Sequence, residues 1–393
     1  MILEAPSTLP KPDLESAAHS QKCADYIRVR IADAGGSISF AEYMQHALYA
    51  PGLGYYAAGA IKFGADGDFV TAPEVSPLFS YVVARQCAAV LAQLDGGDII
   101  EFGAGSGRLA VDVLTKLDEL GALPDHYRIL EVSADLKQRQ EQLLRAECAA
   151  YLHRVEWIDA IPERHTGVII ANEVLDALPV ERFVRRESVH QLRVGIKNDG
   201  FEILEGVAPP ELVAAIAAIE ADMGMRLPYG FVSEVSLAAP GWVADVIAGL
   251  QEGVALLFDY GVSRREYYAP DRSDGWLRCH FRHHAHNDAL LLPGIQDITA
   301  WVDFTAIAAA AMTAGADIVG YVNQAQFLMN GGLQDELKNM MQYPAERQIE
   351  LSGQVKLLTL PAEMGENFKC LGISRGNISQ PSAFAAADRT HTL

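Results

Sequence analysis

The sequence has no apolar run near the roughly 20 residues that a membrane helix needs. Its longest stretches, such as "AAIAAI" and "FTAIAAAAM", fall far short of that. Cysteine is sparse: Cys23, Cys87, Cys148, Cys279 and Cys370 are widely scattered, with no CxxC pair. That fits a reducing compartment and leaves no structural zinc framework. Basic residues are few, 31 Lys and Arg against 51 Asp and Glu, a formal net charge of −20. No Lys/Arg-rich run exists, which argues against a general nucleic-acid binder. The N-terminus "MILEAPSTLPKPDLESAAHS" lacks an apolar core segment. It carries Glu4, Asp13 and Glu15 and no Arg, unlike a transit peptide. These absences point to a bacterial cytoplasmic protein with no membrane span.

What is present is a globular composition. Half of the 393 residues are hydrophobic and 21% are charged, enough for a large core and two or three structural units. Residues 1–80 read as an N-terminal helical segment with a loose leader to residue 20. An irregular Gly-, Pro- and aromatic-rich loop follows at 51–79, and a loop of that length in a compact domain points to function. Residues 81–185 read as the nucleoside-binding core, in which "DIIEFG", "YRILEVS", "RVEWIDAI" and "TGVIIANEV" alternate with helical stretches. Such alternation implies βαβ units and an α/β, doubly wound, mostly parallel sheet. Residues 186–252 read as inserted antiparallel strands and a helix, "PELVAAIAAIEADM", with a turn at Asn198-Asp199-Gly200. Residues 253–393 resume the sheet with "GVALLFDYG" and close it with "KCLGISRG", interrupted by a polar loop at 262–297.

"EFGAGSGRLA", residues 101–110, is a strand breaking into a glycine turn and a helix. A Walker loop needs Lys and Ser/Thr after its last Gly, where Arg108-Leu109 stands. The dinucleotide fingerprint needs Gly at 108, which is Arg108. The remaining pattern, Glu101, Gly103, Gly105 and Gly107, is the first motif of class I S-adenosylmethionine-dependent methyltransferases, although glycine-rich strand–helix turns also occur in other Rossmann-like proteins. Glu131, at the tip of the next strand with Val132, suits ribose hydroxyls. Asp159 follows the third strand, where an acid accepts from an adenine amino group. Asn172 and Glu173 end the fourth strand, where ligands of such sheets lie, and Asp176 is one turn on.

Blocks in order along the chain then carry a resemblance. "GDFVTAPEVSPLF", "EFGAGSG", "ILEVS", "ANEVLDALPVERF", "LLFDYG" and "LLPGIQDITAWVDFTAIA" resemble the MidA family of class I methyltransferases. The resemblance covers residues 21 to 375. Mitochondrial members of that family assemble respiratory complex I and methylate an arginine of a core subunit. It implies a Rossmann-like fold, S-adenosyl-L-methionine as cofactor, and a protein substrate such as a respiratory-complex subunit; a homodimer is a further expectation. Gly103, Gly105 and Glu131 would hold the cofactor. Asp68, Phe69, Thr71, Pro73 and Glu74 would fold over the site, with Thr71 at the cofactor. Asn172, Glu173 and Asp176 would sit beside the methyl as catalytic residues. Asp297, Thr299 and Asp303 would line the substrate side. Arg108 opposes the dipole of the helix it opens, so it should turn away or pair with an acid. Trp301 stands where the resemblance suggests His.

Two other classes of activity remain open at this level. One is a small-molecule O- or N-methyltransferase, the other a non-catalytic cofactor-binding assembly factor. Glu181, eight residues past Glu173, invites comparison with the paired glutamates of arginine methyltransferases. "CHFRHHAHND", 279–288, is dense in possible zinc ligands, but its irregular spacing in a polar loop and a chemistry that needs no metal argue for none.

Overall fold

The structure, a computed structural model, describes residues 9–57, 70–340 and 342–393. The chain divides into two units, each built from separated stretches. One takes its described residues from Met1–Phe69, Asp176–Pro240 and Ser263–Trp301; the other takes Val70–Leu175, Gly241–Val262 and Val302–Leu393. These units cut across the linear boundaries expected at 80, 185 and 252. The chain leaves the parallel sheet after its fourth strand and returns at its fifth, so neighbours in sequence fall in different units.

The second unit holds a sheet whose strands we number β1 (Asp98–Phe102), β2 (Tyr127–Leu130), β3 (Val155–Ile158), β4 (His165–Asn172), β5 (Leu250–Val262), β6 (Asp317–Asn323) and β7 (Phe368–Arg375). Their order is β3-β2-β1-β4-β5-β7-β6, and the short strand Val302–Asp303 pairs beside β5. β1 to β5 run parallel; β7 is antiparallel to both β5 and β6. Central strands are covered on both faces, so they read as continuous apolar runs: Val168, Ile169, Ile170 and Ala171 of β4 are all buried. Helices α1 (Pro77–Leu94), α2 (Arg108–Glu119) and α3 (Ala134–Glu147) belong to the same unit. α1 starts where Pro77 occupies the first turn and the Ser76 hydroxyl accepts from Leu78 N. Its Phe79 ring meets Phe258 of β5 edge-on at 5.2 Å, and Phe258 meets Phe327 at 4.9 Å.

The chain builds outward from β1 to β3 and then returns to β4 on the other side of β1. The carboxyl ends of β1 and β4 thus lie side by side, with Phe102 opposite Ala171. This is the switch point at which such sheets take a ligand.

The first unit is antiparallel. Ser37–Ser39, Val189–Lys197, Glu181–Arg185 and Val232–Val235 pair in that order, and Gly200–Val207 pairs with Val189–Lys197. The turn between the last two falls at Asn198, whose φ is 52°, in agreement with the Asn-Asp-Gly signal. Helix Phe40–Tyr49 opens with a capping box of Ser39 and Glu42. Its Tyr43 and Met44 are buried with Ile27, Ile31, Val194, Cys279 and Ile298.

Three expectations are corrected. The leader is helical from Leu14, because Asp13 accepts from Ser16 N and caps a helix that runs to Asp33. The irregular loop ends early, with a helical turn at Ala72–Val75 and α1 from Pro77. The polar loop contains a short helix, Arg264–Tyr267, and the strands Leu277–Phe281 and His284–His286, which form a small sheet with Asp297–Ala300. Leu277, Cys279 and Phe281 alternate inward there, a period too short to stand out among the histidines.

Candidate functional site

The turn after β1 is built by glycines in the left-handed region. Gly103, Gly105 and Gly107 have φ of 60°, 56° and 90°. A Cβ on Gly107 would stand 3.3 Å from Gln140 Cα, so backbone strain and space both require glycine there. Ser106 donates to the Glu74 carboxylate and accepts from Arg108 N at 3.2 Å. Arg108 turns away from the turn and takes Glu147 in a two-pronged ion pair, 2.7 and 2.9 Å. The acid expected to neutralise Arg108 at the helix start is therefore Glu147 of α3.

Glu101 is buried at the end of β1 and accepts from the Tyr127 hydroxyl at 2.7 Å. Burial pushes its carboxyl up to about 7, the Tyr127 bond opposes this, and the charge of Glu131 adds to the rise. Glu131 is held by Ser133 N at 2.9 Å and by the Gln140 amide at 2.9 Å. Gln140 also donates to the Gly105 carbonyl at 3.0 Å, and its own carbonyl accepts from the Trp157 indole at 3.0 Å. One fully buried amide of α3 thus ties together the glycine turn, the acid after β2 and strand β3. Sequence reading missed Gln140, because a polar residue inside a charged helical stretch gives no sign that it faces inward. Beside Glu131, Val132 is 75% exposed, an apolar side chain presented at the strand ends. Asp159 is almost fully exposed and lies 3.5 Å from Lys137.

At the end of β4, Asn172 donates to Glu173 Oε1 at 3.1 Å. Its own Oδ1 is buried with no hydrogen-bond partner among the described residues. Such a buried acceptor is costly unless a donor meets it. Glu173 has φ 55°, a strained value for a non-glycine residue, and its N–H donates to the Phe258 carbonyl at 2.8 Å. Leu175 N donates to the buried Asp259 at 2.9 Å, which fixes the turn that follows. Thr71 precedes the helical turn Ala72–Val75, and its carbonyl accepts from Glu74 N at 2.9 Å. Asp303 caps helix Phe304–Thr313 through Ala306 N at 3.2 Å. Asp68 and Phe69 lie outside the described residues.

The other expected residues belong to the first unit. The Asp176 carbonyl accepts from Ala300 N at 3.0 Å. Asp297 is buried and accepts from the Tyr56 hydroxyl at 3.0 Å, and Thr299 is buried and donates to the Arg278 carbonyl at 3.3 Å. Tyr56 stacks with Tyr49 at 5.5 Å, and Tyr49 donates to the Ala177 carbonyl at 2.9 Å. Burial first, and then the Asp297 and Asp176 charges among others, push the Tyr56 hydroxyl well above its ordinary range. Glu181 starts an antiparallel strand and accepts from Gln191 at 2.9 Å. Among the described residues no three His, Cys, Asp or Glu side chains gather as a metal site; the histidine-rich stretch is a hairpin.

The family described as "Putative S-adenosyl-L-methionine-dependent methyltransferase" matches residues 82–322. This chain belongs to that family of S-adenosylmethionine-dependent methyltransferases, and S-adenosylmethionine is its cofactor. A Burkholderia thailandensis protein whose crystal structure holds S-adenosyl-homocysteine is 42% identical, with a TM-score of 0.93 over 98% of this chain and 100% of that one. Protein arginine methyltransferase NDUFAF7 of Danio rerio is 29% identical, covering 86% of this chain and 84% of its own length. The Homo sapiens protein of that name is 28% identical over 85% of this chain and 79% of its own. Both relatives are mitochondrial, which overturns the cytoplasmic placement drawn from the N-terminus.

The residues at the switch point fit this cofactor. Three left-handed glycines leave room for a ligand close to the backbone, Glu131 offers a carboxylate and Val132 an apolar surface.

Proposed function

We propose that this chain is a protein arginine N-methyltransferase. The observation that carries the reading is the pair Asn172 and Glu173 at the end of β4, an unmet amide oxygen beside a carboxylate held in a strained backbone. Guanidinium is a planar cation with five donors, the group such a pair suits. The names of the relatives, which match over most of both chains, support the same acceptor.

The cofactor, when bound, supplies a methyl already activated on a sulfonium. What remains for the chain is to position, to desolvate and to handle a proton. In this reading Glu101, Gly103, Gly105, Gly107, Glu131, Val132 and Asp159 hold the cofactor, with Thr71 beside it. Glu173 grips the guanidinium and orients one nitrogen, and its carboxylate receives the proton that nitrogen gives up. Asn172 accepts from a second N–H. Asp303 adds negative charge on the acceptor side. Within the other unit, Asp176, Asp297 and Thr299 are the residues that the family resemblance implies for the acceptor, with Asp297 and Thr299 held by Tyr56 and the Arg278 carbonyl. A respiratory-complex subunit is the acceptor class that the family resemblance supports, and a homodimer is the assembly we propose.

The test is incubation with methyl-labelled cofactor and cell lysate. A labelled protein band that Glu173→Gln abolishes, with S-adenosyl-homocysteine binding kept, supports the reading. Label only in the metabolite fraction overturns it.

A further inference from the structure

The first unit carries an aromatic pair that no step above uses. Trp276 and Trp301 stack with ring centroids 4.4 Å apart and planes 27° from parallel. Both residues are partly exposed. Trp276 is locked from two sides. Its backbone N–H donates to the buried Glu234 carboxylate at 2.7 Å, and its indole N–H donates to the Tyr267 carbonyl at 2.7 Å. Glu234 is itself fixed by Arg182 at 3.0 Å. Trp276 is therefore held in place before anything binds, which lowers the entropic cost of binding.

A guanidinium already rests on it. Arg272 lies over the Trp276 ring, 4.7 Å from the centroid, from an exposed loop that also carries Asp271 and Asp274. Trp301 directly follows Ala300, whose N–H is bound to the Asp176 carbonyl. Trp301 is also the residue that stands where the resemblance suggests His. An indole offers a larger and better cation-binding face than an imidazole, and arginine is the cation that stacks flat on it.

We propose that the Trp276–Trp301 stack is a docking platform for an arginine side chain of the acceptor protein, and that Arg272 is its resident occupant, displaced when the acceptor arrives. The proposal rests on the protein-arginine reading above and names a second point of recognition, apart from the arginine that is methylated. Exchange of one guanidinium for another keeps the cation–π contact on the indole, so Arg272 competes directly with the incoming side chain. A single exposed contact of this kind corresponds to a two- to five-fold effect, roughly, on half-saturation. The surplus of acidic residues, 51 against 31, favours approach of a cationic segment.

The chain has four tryptophans, Trp157, Trp242, Trp276 and Trp301. Labelled as 5-fluorotryptophan and assigned by single Trp→Phe variants, they give separate fluorine NMR signals. N-acetyl-arginine amide is titrated into the full chain, with N-acetyl-norleucine amide as control. The expected result is movement of the Trp276 and Trp301 signals with the arginine compound only. In Arg272→Ala, checked for an unchanged unfolding midpoint, half-saturation falls about two- to five-fold. Equal response to norleucine, movement of Trp157 or Trp242 alone, or the same half-saturation with and without Arg272 overturns the proposal. No cofactor and no methyl transfer enter this measurement. Failure here with labelled arginine in the lysate assay removes only the platform; movement here without labelled protein removes only the methyl acceptor.

Discussion

Single residues decide whether the site forms. Gln140 is the strongest case, because one buried amide serves Gly105, Glu131 and Trp157. Gln140→Leu removes all three hydrogen bonds from these partly buried groups. The expected loss is about 2–3 kcal/mol of stability in urea unfolding and about tenfold in S-adenosyl-homocysteine affinity by calorimetry. Glu173 behaves differently, because its left-handed backbone costs energy that glycine would not incur. Glu173→Gly should gain about 1 kcal/mol of stability while methyl transfer is lost, a trade-off read from unfolding midpoints and transfer rates on one preparation. Glu101 adds a pH dependence. Its carboxyl titrates near 7 folded against 4.5 ordinarily, so the folded chain keeps the extra proton between those values. Across that window the unfolded chain has already given up the proton, so stability falls as pH rises, by on the order of 3 kcal/mol, and levels off above about 7 where the folded carboxyl also ionises. Glu101→Gln removes this fall. The stability difference between variant and wild type should widen in the variant's favour from pH 5 to 8; parallel curves would show that Glu101 is not the cause.

Elements explain what the sequence made legible. The strand "DIIEF" and the apolar run before Asn172 are visible because both faces of a central parallel strand are buried. The glycine turn is visible because only glycine takes three left-handed positions, at 103, 105 and 107, so cheaply. Its partners are not, because Glu74, Gln140 and Glu147 are brought to Ser106, Gly105 and Arg108 by folding alone. The hairpin hidden in the histidine-rich stretch shows the other limit, since strands of three to five residues carry almost no periodic signal. Gly107 joins the two levels. Gly107→Ala forces a left-handed alanine against Gln140, so α2 should start under strain. A loss of about 1–3 kcal/mol is expected, and S-adenosyl-homocysteine should raise the unfolding temperature less than in wild type.

At the scale of the whole molecule, the residues proposed to hold the cofactor fall in one unit, and Asp176, Asp297 and Thr299 in another. The sequence order hides this, because the antiparallel insertion lies between β4 and β5. An acidic chain whose candidate catalytic residues are Asn172, Glu173 and Asp176 suits a cationic acceptor. The central claim is that the methyl group ends on an arginine of a protein. Tandem mass spectrometry of the protein labelled by wild type, with Glu173→Gln as control, tests it most directly. Methylarginine found with wild type and lost with the variant is the predicted result; methyl groups only on oxygen, on other side chains, or on small molecules would contradict it.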